Sequence, residues 1–232
     1  RSTRRQRQMC IRDSQETGYI PGLTLAASHP YRSIYNTLEL SVYDGQVDYD
    51  GRTQSGQPHQ TTTEQNILRL LYRLSWSPQG TKSALYGKVY WQQWDRDIQP
   101  NNGVLGLFER YRWWTLEAGV QVPLIKDERR NLLLEFGALA TTNGTIMIDL
   151  ADLGFGSPTL DLGDDYGFSA KLKYEVLHSS NSSFQFGLQF RRWEFGRSNS
   201  KTVSDGITSI VITEPDSTSM QTTLSAGYRY HF

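Results

Sequence analysis

Five residues of this 232-residue chain are of the right types to activate water: Asp48, Asp50, His59, Asp95 and Asp97. An imidazole held by one carboxylate, facing other acids across a cleft, can draw a proton from water and direct it at a bond. The same aspartates lie in Gly-, Asn- and Ser-rich stretches, as do Asp149, Asp152, Asp161, Asp164 and Asp165. There they read equally well as turn formers. Clustered carboxylates also suit calcium, but the spacing of an EF-hand loop is absent. His29, His178 and His231 share neither a face nor a spacing suited to a metal. Gly-rich phosphate loops and Gly-x-Ser-x-Gly elbows are missing too. The sequence therefore predicts no cofactor and no metal, and it leans away from an enzyme.

A second set of charges sits at alternate positions within amphipathic segments. It comprises Glu39, Glu117, Glu135 and Glu175 with Arg69, Arg73, Lys88, Lys171, Lys173, Arg191 and Arg229. Each lies opposite an apolar face in a segment of period two, the signature of a strand. From Thr218 onward Met220, Leu224, Ala226, Tyr228, Tyr230 and Phe232 share one face. Phe184, Phe186, Leu188 and Phe190 form another such face, and Tyr166, Phe168, Ala170, Leu172, Tyr174 and Val176 a third. Further strand cores are Leu132 to Ala138, Trp114 to Val122, Leu85 to Trp91, Leu68 to Trp76, Leu38 to Val42 and Leu23 to Ala27. Mixed signs on the polar face predict ion pairs, because enclosed charges must be paired or solvated.

Composition narrows the class. Twenty-four basic residues balance 24 acidic ones, which argues against a nucleic-acid partner. No apolar run approaches the ~18 residues of a membrane helix. Only 37% of residues are hydrophobic, yet 13 are Tyr and 6 are Trp. A polar average with many aromatics suits a membrane β-barrel, whose aromatic residues ring both interfaces. Trp76, Trp91, Trp94, Trp113, Trp114, Tyr228 and Tyr230 are expected in those rings. A soluble β-sandwich is the rival fold. A single cysteine, Cys10, excludes a disulfide framework.

Connections alternate in length. Short ones are expected at Ser28 to Arg32, Pro78 to Lys82, Pro123 to Arg130 and His178 to Ser182. Long ones are expected at Asp44 to Thr62, Asp95 to Gly103, Thr141 to Asp165 and Arg197 to Ser217. Short turns on one side and long loops on the other form the outer-membrane pattern. The run Ile146-Met147-Ile148 is expected to extend a strand outward or pack within its own loop. Bacterial barrels have even strand numbers. About nine strands therefore imply a tenth, ascending, ahead of Gln15. The alternative is an eight-stranded barrel with Gly22 to Ala27 as a lead-in.

Two resemblances concern the ends. Residues 4–14, Arg4-Arg5-Gln6-Arg7-Gln8-Met9-Cys10-Ile11-Arg12-Asp13-Ser14, resemble the conceptual translation of a sequencing adapter. Residues 1–14 are accordingly expected to be a non-native tail, and residues 15–232 the barrel domain. The close Tyr228-Arg229-Tyr230-His231-Phe232 resembles the signal recognised during insertion into the bacterial outer membrane. That implies outer-membrane lipid and the barrel-assembly machinery as partners.

Three stretches resemble parts of an uncharacterised proteobacterial outer-membrane β-barrel family. They are Glu16 to Gly22, Gly45 to Gly56 and Leu160 to Asp165. The resemblance implies a barrel in the outer membrane and brings no activity with it. The leading expectation is a structural or interaction barrel with a charged, side-chain-filled lumen and long extracellular loops. The alternatives are a narrow channel or small-solute transporter, and a surface hydrolase like the omptins, built on Asp48, Asp50, His59, Asp95 and Asp97.

Overall fold

A computed structural model describes residues 15–52 and 58–230. The N-terminal fourteen residues, His231, Phe232 and the end of the Gly45 to Gly56 stretch lie outside them. The chain is all-β. Its strands are β1 (Gln15–Thr17), β2 (Gly22–Tyr31), β3 (Ile34–Arg52), β4 (Pro58–Trp76), β5 (Ala84–Ile98), β6 (Leu107–Lys126) and β7 (Arg130–Asp149). After a 3-10 turn at Ala151–Leu153 come β8 (Thr159–Asp161), β9 (Asp165–Ser179), β10 (Ser182–Phe195), β11 (Lys201–Ser204), β12 (Ser209–Ile212) and β13 (Ser217–Tyr230).

Nine long strands form one antiparallel sheet in the order β2-β3-β4-β5-β6-β7-β9-β10-β13. β1 continues the β2 edge, where Gln15, Glu16 and Thr17 pair with Asp50, Tyr49 and Asp48 of β3. β2 pairs with β3 along its whole length, from Gly22↔Tyr43 to Tyr31↔Ile34. It is a full strand and not a lead-in. The sheet curls into a half-barrel. The Arg191 guanidinium on β10 donates to the Tyr90 hydroxyl on β5 at 3.2 Å, although three strands separate them in the sheet.

Four tight connections lie at one end, here the lower: 32–33, 77–83, 127–129 and 180–181. The opposite, upper end carries the link from β3 to β4 and the connections 99–106, 150–164 and 196–216. Several predicted loops prove to be strand. β3 and β4 stay paired up to Arg52↔Pro58, so Asp48, Asp50 and His59 lie in strands rather than a long loop. Asp95 and Asp97 lie in β5, and β7 continues to Asp149. Glycines and aspartates suggested turns there. Ladder partners hold these segments extended instead: β4 beside upper β3, with β1 at Asp48 to Asp50, β4 and β6 beside upper β5, and β6 with β8 beside upper β7. The last upper connection carries the β11–β12 hairpin, which the sequence reading missed.

The two faces exchange character along the strands. In the lower half the outward residues are apolar and exposed: Leu70, Tyr72, Leu74, Leu116, Val120, Phe136, Phe186 and Leu188 among them. The inward ones there are polar. In the upper half Asp48, Asp50, Glu64 and Asn66 point out, and Val47, Tyr49, Ile67 and Trp113 are buried. Trp113 and Trp114 mark the crossing: Trp113 is 2% exposed and Trp114 is 45% exposed. Trp113 therefore belongs to an interior core and not to an aromatic ring at an interface. Trp94 packs against the same core. The core collects Tyr111, Trp113, Leu139, Ile146, Ile148, Leu160, Trp193, Phe195, Ile210 and Ile212. Ile146 and Ile148 reach it through a bulge. Two β7 residues, Asn143 and Gly144, stand opposite Trp113, and Asn143 takes φ 51°, a left-handed conformation that Asn tolerates. The extra residue turns the next part of β7 by one face.

Candidate functional site

The concave side encloses a cavity of about 1780 Å³, open along the gap between β2 and β13. Its polar groups fall into clusters, each built by side chains of like phase on neighbouring strands.

Near mid-height in the lower half, Glu117 on β6 accepts from Lys88 Nζ at 2.8 Å, the Tyr86 hydroxyl at 3.0 Å and Ser169 Oγ at 2.7 Å. Arg73 Nη1 contacts both oxygens of Glu135 at 2.8 and 2.9 Å, while its Nη2 donates to Gln121. Lys88 lies 3.8 Å from Glu135, linking the two pairs. Glycine makes room for this. A Cβ at Gly119 or Gly137 would fall within 2.6 Å of the Tyr86 side chain, so Tyr86 can lie flat across both and reach Glu117. Lower still, Glu175 accepts from Ser183, Gln185 and Arg229. Glu39 accepts from Ser41 Oγ at 3.2 Å. Lys171 and Lys173 share the inward phase of β9 with Glu175. Arg69 and Arg191 stand above the Glu117 cluster, each with neutral hydrogen-bond partners.

The water-activating candidates are not gathered on one face. His59 is buried, with its ring 6.0 Å from that of Tyr49. Asp48 and Asp50 are exposed on the opposite phase. Asp95 is held from the outer side by Arg110, through two contacts of 2.8 Å. Asp97 is exposed on that same phase. Among the described residues, no three His, Cys, Asp or Glu are placed to hold a metal ion.

Instead, the upper rim holds a cluster absent from the sequence reading. Glu16 accepts from Thr63 Oγ1 at 2.8 Å, Gln65 Nε2 at 2.5 Å and Arg96 Nη2 at 2.7 Å. Arg96 Nη1 donates to Glu109 at 2.7 Å. The Tyr111 hydroxyl lies 3.3 Å from Glu109 and 3.2 Å from Glu214. One hydroxyl proton cannot serve two carboxylates, so the Glu109–Tyr111–Glu214 chain is satisfied when one carboxyl carries a proton. Burial, then the charge of Glu109, push Glu214 up to about 7. Burial likewise raises Glu109, against the opposing pull of Arg96. Arg96 and Glu109 stand opposite each other in the β5–β6 ladder. That register was available once both strands were extended upward. Glu16 and Glu214 come from remote segments, so pattern alone could not place them.

Glu214 closes the connection that carries the β11–β12 hairpin. Its backbone N–H donates to Ser198 Oγ at 2.8 Å, and its carbonyl accepts from the Ser198 N–H at 2.9 Å. Ile210 and Ile212 pack beneath the hairpin into the aromatic core. A carboxyl raised above its unfolded value of 4.5 binds its proton more tightly in the fold. The contact is then at full strength below about pH 4.5 and weakens as pH rises through about 7. Hydrogen exchange in residues 198–216, corrected for intrinsic rates, is expected to quicken about tenfold or more between pH 5 and pH 8. Glu214→Gln should flatten that dependence. Equal slopes in both proteins would disprove the role of Glu214.

No protein-family model matches the chain, and no curated protein matches it.

Proposed function

We propose that the chain is an outer-membrane β-barrel whose lower half crosses the bilayer and whose upper half projects from it, in a structural or interaction role. The exchange of faces along the strands carries this reading. The outward apolar stretches, such as Leu68 to Trp76, Trp114 to Leu124 and Leu132 to Ala140, are about the 9–11 residues that a tilted strand needs to cross hydrocarbon. Above them the same strands point charges outward and bury apolar groups, as a β-protein in water does. The polar inward face beneath the aromatic core fits a lumen packed with ion pairs, and the β11–β12 hairpin fits a plug. Both favour a filled barrel over a wide pore. Tyr228 and Tyr230 on the terminal strand support assembly in the outer membrane.

The strand directions support closure by one more strand. β2 and β13 both descend, and among the described residues neither pairs with the other. One ascending strand would be antiparallel to both and would bring the count to ten, an even number.

Phe136 supplies the discriminating test. It is 50% exposed on the outward face, at the centre of the Leu132 to Ala140 stretch. In a bilayer Phe136→Arg is expected to cost about 2–4 kcal/mol near the midplane, with Glu64→Arg close to neutral. In water both changes would be close to neutral. The folded protein should require detergent and migrate faster in gels before boiling than after. Compact monomers in plain buffer, with Phe136→Arg tolerated, would overturn the proposal. Steady single-channel currents in planar bilayers would favour the channel reading instead.

A further inference from the structure

Arg69 and Arg191 are 5% and 4% exposed, the most buried cationic side chains among the described residues. Among those residues neither forms an ion pair, whereas Arg73, Lys88, Arg96 and Arg229 each hold a carboxylate. Arg69 Nε donates to Gln92 Oε1 at 3.0 Å. Arg191 donates to the Tyr90 hydroxyl at 3.2 Å and to Gln221 Oε1 at 2.6 Å. Both guanidinium groups lie over the Tyr90 ring, at 5.8 and 5.5 Å from its centroid. Two like charges thus share one ring, with neutral partners only. Enclosing a charge without a close counter-charge is costly.

The same neighbourhood holds three buried donors that find no acceptor among the described residues: Arg69 Nη2, Thr115 Oγ1 and Trp193 Nε1. Thr115, 1% exposed, stands directly across the β5–β6 ladder from Tyr90. The Trp193 ring carries the Arg191 guanidinium 5.3 Å from its centroid. Arg69 and Trp193 both line the central cavity. Glu39 lines it too and attracts Arg69 from a distance, but it accepts from Ser41 and makes no ion pair with Arg69.

We propose that this cluster is a binding site for one small free oxyanion, of the sulfate or phosphate type. Such an ion supplies the missing negative charge and offers several acceptor atoms to the unmatched donors. Charge-assisted bonds from guanidinium to an oxyanion are among the strong ones. The inference depends on the interior packing and not on what surrounds the outer face.

Inorganic sulfate, whose charge is constant across the working range, is the probe. Calorimetric titration of the folded full chain at fixed ionic strength should show one saturable site. Gln92→Glu is nearly isosteric and gives Arg69 an internal carboxylate. It should weaken sulfate binding at least tenfold without lowering thermal stability. Thr115→Val should weaken it severalfold. Absence of saturable binding, or unchanged affinity in both variants, would overturn the site. Sulfate binding by a protein that proves stable in plain buffer would sink the membrane reading alone. Heat-modifiable migration without sulfate binding would sink this one alone.

Discussion

Glu117→Ala is expected to destabilise the protein by about 3–5 kcal/mol, the cost of leaving a buried charge without its partner. Lys88 is only 7% exposed in its side chain, and Glu117 is 1%. With Glu117 gone, the one carboxylate left near Lys88 among the described ion pairs is Glu135, at 3.8 Å. The Tyr86 and Ser169 hydroxyls lose their shared acceptor as well. Urea unfolding in detergent would read the loss. The double variant Lys88→Met with Glu117→Leu should recover most of it, because removing both members of an enclosed pair is often neutral. A double variant as unstable as Glu117→Ala would show that Glu117 acts through packing rather than charge.

Trp113→Ala should cost about as much, roughly 3–5 kcal/mol for removing a buried tryptophan. Its ring lies 5.1 Å from Phe195 in an edge contact and 6.5 Å from both Trp94 and Trp193. The neighbouring change Trp114→Ala removes a half-exposed ring from the other face. It should cost distinctly less. The loss at Trp113 should also free the upper connection, because Ile210 and Ile212 belong to the same core. Limited proteolysis within residues 196–216 would detect this. Equal losses at the two tryptophans would contradict the exchange of faces at this level.

The lower half was legible because its strands alternate cleanly. Phe184, Phe186, Leu188 and Phe190 share one face with no interruption. The upper half was not. In β6 the inward residues run Glu109, Tyr111, Trp113, Thr115 and Glu117, mixing acids with rings, so no uniform period marks the strand. In β3 the glycines and aspartates around Val47 and Tyr49 look like loop chemistry. Pairing with β1 and β4 overrides that preference. The mid-height charges were found by their phase, but their partners were not. Nothing in the order of residues couples Arg73 to Glu135, or Arg191 to Tyr90. These contacts arise only when the sheet curls. The rim cluster needed still more, since Glu214 meets Tyr111 across 103 positions.

The Trp113–Trp114 crossing has a mechanical corollary in a bilayer. Sinking the molecule would drag Asp48, Glu64 and Asp95 into hydrocarbon, and lifting it would strand Leu116 and Phe136 in water. On the proposed reading both displacements would be opposed at once on β3 to β6, so immersion depth would be fixed like a float at its waterline. A thinner or thicker membrane would then have to deform around the protein instead of the protein riding higher or lower.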